Sequence, residues 1–137
     1  MDQLQSEFLE KWHRMVEERD IAVLGELLAE DVTISSPPYW DKLQGRPLVK
    51  HLLTQIITLI EDFTYHRQWH DDAAHQGEIA LEFFGHIGEL DLQGIDLITL
   101  NERGEIQNLD VMIRPINALQ ALQESIAPKM MEFFEKG

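Results

Sequence analysis

Asp96 is the residue of this chain whose surroundings point most directly to chemistry. It lies in an apolar run that has the pattern of a strand, with Ile95, Leu97 and Ile98 around it. A carboxyl group buried among apolar neighbours has a raised pKa and can exchange protons with a ligand carbonyl or enol. The alternatives are a carboxylate paired with an arginine or a tryptophan N–H, or one that faces solvent. We expect Asp96 to be a pocket acid and the catalytic residue.

Three aromatic residues, Trp12, Tyr39 and Trp40, are candidates for ligand contacts. Each ring carries one polar atom, which suits a pocket for a planar or ring-shaped compound. We expect Trp12 to line the pocket, and Tyr39 and Trp40 to form its mouth. The alternatives are a purely structural core position for Trp12 and a dimer contact for Tyr39 and Trp40.

A cluster of histidines and aspartates raises the question of a metal site: His66, His70, Asp71, Asp72, His75 and His86. The spacing from His70 to His75 is not the helical pair of zinc hydrolases, and the region has the pattern of a strand and a turn. We therefore expect no metal and no cofactor. Surface histidines on the outer face of a sheet are the better interpretation, with His66 and His86 as pocket groups if the strand alternation is reversed.

Composition limits the class of partner. The chain has 137 residues and 44% hydrophobic content, with 11 basic and 25 acidic residues giving a net charge of −14. A basic surface for nucleic acid, or for an anionic membrane, is not expected from this balance. Cysteine is absent from the sequence, so disulfides and thiol catalysis are excluded. The polar start, without a signal-peptide pattern, predicts a cytoplasmic protein.

Apolar residues at helical spacing predict the helices. The first helix covers residues 3–18. Asp20 would cap a second helix over 21–29, and a third has Pro47 in its first turn and ends near residue 61. Asn117 would cap a helix through residue 122. Pro128 is expected to break or kink the segment that follows, leaving a short tail helix over 129–137.

Alternation of period two predicts the strands, at residues 31–35, 63–70, 78–87, 90–100 and 105–114. The two prolines of 36–40 require a loop there. The turn at 101–104 places Gly104 where a positive φ is needed. Helices followed by antiparallel strands indicate one α+β domain over residues 1–137. We expect a cone-shaped, strongly curved, mixed or antiparallel sheet packed against the N-terminal helices and enclosing a pocket.

The pocket would hold a small apolar or aromatic ligand, with Asp96 as its polar anchor. Its expected lining, besides the mouth residues, is Trp12, Val16, Ile56, Tyr65, Leu81, Phe83, Leu109, Val111 and Ile113. The outer face of the sheet, with Glu82, Phe84 and His86, would form a homodimer contact, because Phe84 there would be an exposed aromatic on a monomer.

The chain resembles the nuclear-transport-factor-2-like superfamily, and within it the SnoaL-like group of polyketide cyclases and ketosteroid-isomerase-like proteins. The resemblance covers nearly the whole chain. It rests on Asp31-Val-Thr-Ile-Ser-Ser-Pro37 after two helices, on Gly45-Arg-Pro47, and on Gly94-Ile-Asp96, Gly104-Glu-Ile106 and Ile113-Arg-Pro115. It implies a cone fold, a fold that serves isomerases, dehydratases, cyclases, epoxide hydrolases and non-enzymatic modules alike.

Ketosteroid isomerases of this superfamily carry a tyrosine on the first helix, a base aspartate before the first loop proline, and a protonated aspartate on a late strand. These positions correspond here to Trp12, Ser36 and Asp96, so that only Asp96 keeps its residue type. The resemblance implies binding, and acid/base isomerase, cyclase or dehydratase activity, toward a carbonyl or polyketide-like compound. The alternative is a catalytically inert module of the same fold that binds a ligand or another protein.

Overall fold

The computed structural model describes residues 2–71 and 78–136, which contain four helices and six strands. The helices are α1 (Gln3–Glu18), α2 (Ile21–Glu26), α3 (Arg46–Leu59) and α4 (Ile116–Lys136). The strands are β1 (Leu28–Ser35), β2 (Leu43–Gln44), β3 (Glu61–His70), β4 (Ile79–Ile87), β5 (Leu90–Leu100) and β6 (Ile106–Arg114).

The strands form a curved, unclosed sheet in the order β2-β1-β6-β5-β4-β3. Neighbours are antiparallel except β1 and β6, which run parallel. The helices pack on one face, called here the inner face, and the core lies between them and the sheet. The predicted α+β class and mixed curved sheet are confirmed.

Capping residues define where the first two helices begin. The side chain of Asp2 accepts a hydrogen bond from the backbone N–H of Gln5, and the side-chain oxygen of Gln5 accepts one from the backbone N–H of Asp2, which is a capping box. The side chain of Asp20 accepts from the N–H of Val23, as predicted. The predicted end of α2 at residue 29 is wrong, because Leu28 and Ala29 are buried in β1, where Leu28 pairs with Ile106 of β6.

The C-terminal helix differs most from prediction. Pro128 does not break it, and α4 continues as a single helix from Ile116 to Lys136. The buried side chains of α4 recur every fourth residue and place one apolar stripe against α3 and the sheet: Ala118, Leu122, Ile126 and Met130. Burial of this stripe outweighs the hydrogen bond that proline cannot make.

Two positions in the sheet region require glycine because of their local geometry. Gly104 closes the predicted β5–β6 turn with φ of 78°, a conformation that favours glycine. Gly94 lies opposite Phe83, and a Cβ atom there would come within 2.2 Å of the Phe83 ring. The Phe83 ring therefore occupies space that only a glycine at position 94 leaves open.

A bulge in β3 changes which side chains share a face. The pairing steps from Tyr65 opposite Phe83 to Gln68 opposite Leu81, so three residues on β3 span two on β4. The simple alternation predicted for 63–70 therefore stops at Tyr65. Arg67 and Trp69 lie on the outer face, where the Arg67 guanidinium sits 5.2 Å from the centre of the Trp69 ring.

Candidate functional site

A chain of two hydrogen bonds links Trp12, Tyr65 and Asp96 inside the core. The indole N–H of Trp12 donates to the hydroxyl oxygen of Tyr65 over 2.8 Å, and that hydroxyl donates to Oδ2 of Asp96 over 2.8 Å. The three residues come from α1, β3 and β5. Side chains 53 and 31 positions from Tyr65 in the sequence thus meet at its hydroxyl group.

Sheet register places the carboxyl group. Asp96 stands directly opposite Leu81 of β4 and Val111 of β6, and opposite residues point to the same face. Leu81 and Val111 are buried, so Asp96 lies on the inner face with them. Trp12 reaches the Tyr65 hydroxyl from the buried stripe of α1, where its ring stacks on Phe8 with 5.7 Å between ring centres.

Burial controls the acidity of this carboxyl. Asp96 is only 6% exposed, and this desolvation raises its pKa to about 7, while the hydrogen bond from Tyr65 acts in the opposite direction. Burial, and then the nearby charge of Asp96, raise the pKa of Tyr65 well above its ordinary value, so the phenol stays protonated and remains a donor. At neutral pH the carboxyl group holds both protonation states, which suits acid/base exchange.

Aromatic rings enclose the phenol of Tyr65. Phe63 and Phe83 stack with 4.7 Å between ring centres, and each meets the Tyr65 ring edge-on. The His13 ring also meets Tyr65 edge-on, at 5.2 Å. These contacts hold the ring in one orientation, so that the hydroxyl keeps its position beside Asp96.

The link through Tyr65 was missed from the sequence. Tyr65 was expected as a lining residue, not as the group that joins Trp12 to Asp96. A signal existed, because a buried tyrosine hydroxyl and a buried indole N–H each require a partner, and Asp96 offers an acceptor. The sequence leaves the choice of partner open, since any of several core positions could have supplied one.

The expected lining residues occupy different places. Most of them lie in the hydrophobic core, namely Trp12, Val16, Ile56, Leu81, Phe83, Leu109 and Val111. Val111 and Ile113 also line a cavity of about 750 Å³, together with Ser36, Tyr39 and Trp40. The expected mouth residues therefore lie beside β6, the strand next to Asp96 in the sheet. Asp96 itself does not line this cavity, and Trp40 is 95% exposed.

Of the expected outer-face histidines, His66 and His86 lie on the outer face of the sheet, whereas His70 stands opposite the buried Ile79 of β4 and therefore shares the inner face. His66 packs edge-on against Phe84, and His86 lies between the carboxylates of Glu61 and Asp62, at 2.9 and 2.7 Å. Among residues 2–71 and 78–136, no group of three histidine or acidic side chains is arranged to hold a metal ion. Asp72 and His75 lie outside the described residues.

Comparison with solved structures relates this geometry to known proteins. A steroid Δ-isomerase from Pseudomonas aeruginosa is 33% identical, with a TM-score of 0.88 over 98% of this chain and 97% of that one. A protein with a cystatin-like fold from Silicibacter pomeroyi is 34% identical, with a TM-score of 0.83 over 90% and 85% of the two chains. The chain belongs to the nuclear-transport-factor-2-like superfamily.

More distant solved structures share the fold alone. A Mycobacterium tuberculosis protein solved in complex with estradiol-17β-hemisuccinate is 18% identical, with a TM-score of 0.65 over 85% of this chain and 98% of that one. No protein-family model matches the sequence, and no curated protein matches it either. Within the described ranges, no helix has the length and apolar character needed to cross a membrane.

Proposed function

We propose that this superfamily member binds a small ring-shaped ketone on the inner face of its sheet, and that Asp96 moves a proton on the bound compound. The proposal rests on the carboxyl group of Asp96, which is buried, hydrogen-bonded by Tyr65 and poised with a pKa of about 7. A general acid or base works best when its pKa lies near the working pH.

The reaction class that fits is movement of a carbon–carbon double bond next to a carbonyl group. Ionised Asp96 would remove a proton from the carbon between the carbonyl and the double bond, and the electron pair would pass to the carbonyl oxygen as an enolate. Return of that proton to the far carbon of the double bond would restore the carboxylate. Tyr65 would hold Oδ2 throughout and leave the other oxygen for the ligand.

A steroid ketone is the first substrate to try. The Pseudomonas aeruginosa relative is a steroid Δ-isomerase, and the Mycobacterium tuberculosis protein was solved with a steroid ester. A fused-ring body would suit apolar surfaces such as Val111 and Ile113, which border the cavity beside Tyr39 and Trp40.

The test compares Asp96→Asn with the wild type on a β,γ-unsaturated ketosteroid, followed by the ultraviolet absorbance of the conjugated product. Asparagine keeps the size of the side chain but cannot take up the proton, so turnover should fall by about 10² or more. Asp91→Asn, on the same strand but exposed, is the matched control and should leave turnover unchanged. Equal turnover in wild type and Asp96→Asn would refute the role.

A second candidate is binding without catalysis, which Ser36 favours. This buried serine stands where the isomerases keep their base, and a serine hydroxyl without a partner base is a poor proton acceptor near neutral pH. In that case native mass spectrometry of gently purified protein would detect a retained ligand. Asp96→Asn would then change affinity modestly, and no turnover would be found. The homodimer and the cytoplasmic location remain predictions alongside either function.

A further inference from the structure

A second cavity borders the loop that carries Trp40 and shares part of that loop with the first. Its volume is about 530 Å³, within the range of roughly 300–1,000 Å³ that is usual for small-molecule pockets. The loop of residues 36–42 forms one wall, and α4 forms the opposite wall with Gln123, Ile126, Met130 and Phe134. The α4 wall could not be expected from the sequence, because Pro128 predicted a break in that helix.

Specific contacts hold the two walls together. The side-chain amide of Gln123 donates to the hydroxyl of Tyr39 over 2.7 Å, which joins the loop to α4. The backbone N–H of Tyr39 donates to the carbonyl of Ser36 over 3.0 Å and closes a turn. Two consecutive prolines, Pro37 and Pro38, restrict the backbone within that turn. These contacts fix the loop against α4 and so shape the cavity between them.

Aromatic rings are unusually exposed around this cavity. Trp40 is 95% exposed, Phe134 59% and Tyr39 45%, and all three line it. Exposed aromatic rings grouped around one concave surface are typical of a binding site, whereas single exposed rings scattered over a surface are not. The face of each ring carries a partial negative charge that attracts cations.

The charge at the cavity has one sign. Among the described residues that line the cavity, Asp41 carries the only charged side chain. Its neighbour Lys42 is engaged elsewhere, because the Lys42 ammonium group lies 2.6 Å from the side chain of Asn108 and 3.2 Å from that of Asp110. The whole chain has a net charge of −14, which further favours a cation.

We propose that this cavity binds a small organic cation with an apolar body, such as an aromatic or alkylated amine. The rings of Tyr39, Trp40 and Phe134 would contact the cationic group and its substituents, and the Asp41 carboxylate would supply the opposite charge. Met130 and Ile126 would contact the apolar body. Asp96 does not line this cavity, so cation binding here does not require the proton-transfer group, although Tyr39 and Trp40 border both cavities.

The test uses benzyltrimethylammonium as the cation and its neutral carbon isostere, in which a tert-butyl group replaces the trimethylammonium group. Binding is followed by tryptophan fluorescence in a Trp69→Phe background, where Trp40 is the exposed reporter and Trp12 is buried. The cation should bind at least tenfold more tightly than the isostere, and added salt should weaken its binding.

Matched variants separate the contributions and are measured by calorimetry. Phe134→Leu and Trp40→Leu should each weaken cation binding by about fivefold, the equivalent of roughly 1 kcal/mol for one cation–π contact. Asp41→Asn should weaken it further at low salt. The controls are Trp69→Leu and Asp91→Asn, which alter an exposed tryptophan and an exposed aspartate on other surfaces and should leave affinity unchanged.

Three outcomes would overturn the proposal. The isostere could bind as tightly as the cation, the control variants could weaken binding as much as the cavity variants, or the cation could fail to bind at millimolar concentration. Because Trp40, Asp41 and Phe134 are exposed, their substitution leaves the core intact and a loss of binding is not a loss of folding. The Asp96→Asn variant should bind the cation normally, which distinguishes this site from the proton-transfer site.

Discussion

The Tyr65 hydroxyl is the residue-scale feature on which the site depends. It accepts the Trp12 indole N–H and donates to Asp96, so a single oxygen satisfies two buried polar groups. Removal of the Tyr65 hydroxyl has two consequences. The indole N–H loses its acceptor, and the carboxyl loses a donor that stabilises its ionised form.

Tyr65→Phe should therefore destabilise the fold and raise the pKa of Asp96 further. The expected loss of unfolding free energy is about 1–3 kcal/mol, the usual cost of a buried donor without a partner. Urea denaturation measures the first effect and carboxyl NMR the second. Tyr39→Phe is the matched control, since Tyr39 is exposed and its hydroxyl accepts from the side chain of Gln123, away from Asp96. An unchanged Asp96 pKa in Tyr65→Phe would contradict the bridge.

At the residue scale the sequence predicts the acid but not its partner. Asp96 could be recognised because an acidic residue inside an apolar strand is conspicuous. The bond from Tyr65 joins β3 to β5 across the intervening strand β4 on the inner face, and the bulge after Tyr65 sets which of its neighbours face inward. Period-two alternation carries no information about a bulge, so Arg67 and Trp69 could not be assigned to the outer face.

At the scale of elements, α4 illustrates the limit of local rules. Its first half was predicted, but the continuous helix across Pro128 was not, because a proline rule weighs backbone cost and omits tertiary burial. By contrast, α1 follows prediction at both ends, because its cap and its apolar stripe agree. A helix can be predicted when its capping residues and its apolar stripe indicate the same bounds. It cannot be predicted when a local backbone cost, such as an internal proline, is outweighed by burial in the tertiary structure.

Pro128→Ala should stabilise the protein if α4 remains helical although Pro128 cannot donate a backbone hydrogen bond within it. Alanine restores the backbone N–H, and we expect a gain of about 1–3 kcal/mol in unfolding free energy, against a cost of ~3 kcal/mol for proline inside a helix. Ile126→Ala, in the buried stripe, should lose about 2–4 kcal/mol. Chemical denaturation measures both. If Pro128→Ala is no more stable than the wild type, Pro128 does not destabilise α4.

At the scale of the whole molecule, the outer face of the sheet carries the features of an interface. Trp69, Phe84, Leu97 and Met112 are all partly exposed there. Among them lies Glu82, which is buried by side chains of this chain alone, because Arg67 contacts both of its carboxyl oxygens at 2.7 and 2.8 Å. The hydrogen bond from Arg67 lowers the pKa of Glu82 to about 2, so the pair stays ionised at neutral pH.

The predicted homodimer can be tested through this face. Sedimentation velocity at micromolar concentration should give about twice the chain mass of 15.9 kDa. Met112→Glu places a charge in the apolar surface and should shift the protein to monomer, because a second copy would have to bury that charge. Met131→Glu, on the exposed side of α4, is the control and should leave the dimer intact. A wild-type monomer at every concentration would remove the prediction.

The central claim, that Asp96 is an acid/base group poised near neutral pH, is tested most directly by its pKa in the free protein. Carboxyl NMR with ¹³C-labelled aspartate, assigned with the Asp96→Asn variant, follows the titration of this single group. The structure predicts a pKa of about 7, raised from 3.8 by burial. A value at or below 3.8 would show that Asp96 is ionised throughout the neutral range and solvated or ion-paired, and the proton-transfer role would be contradicted.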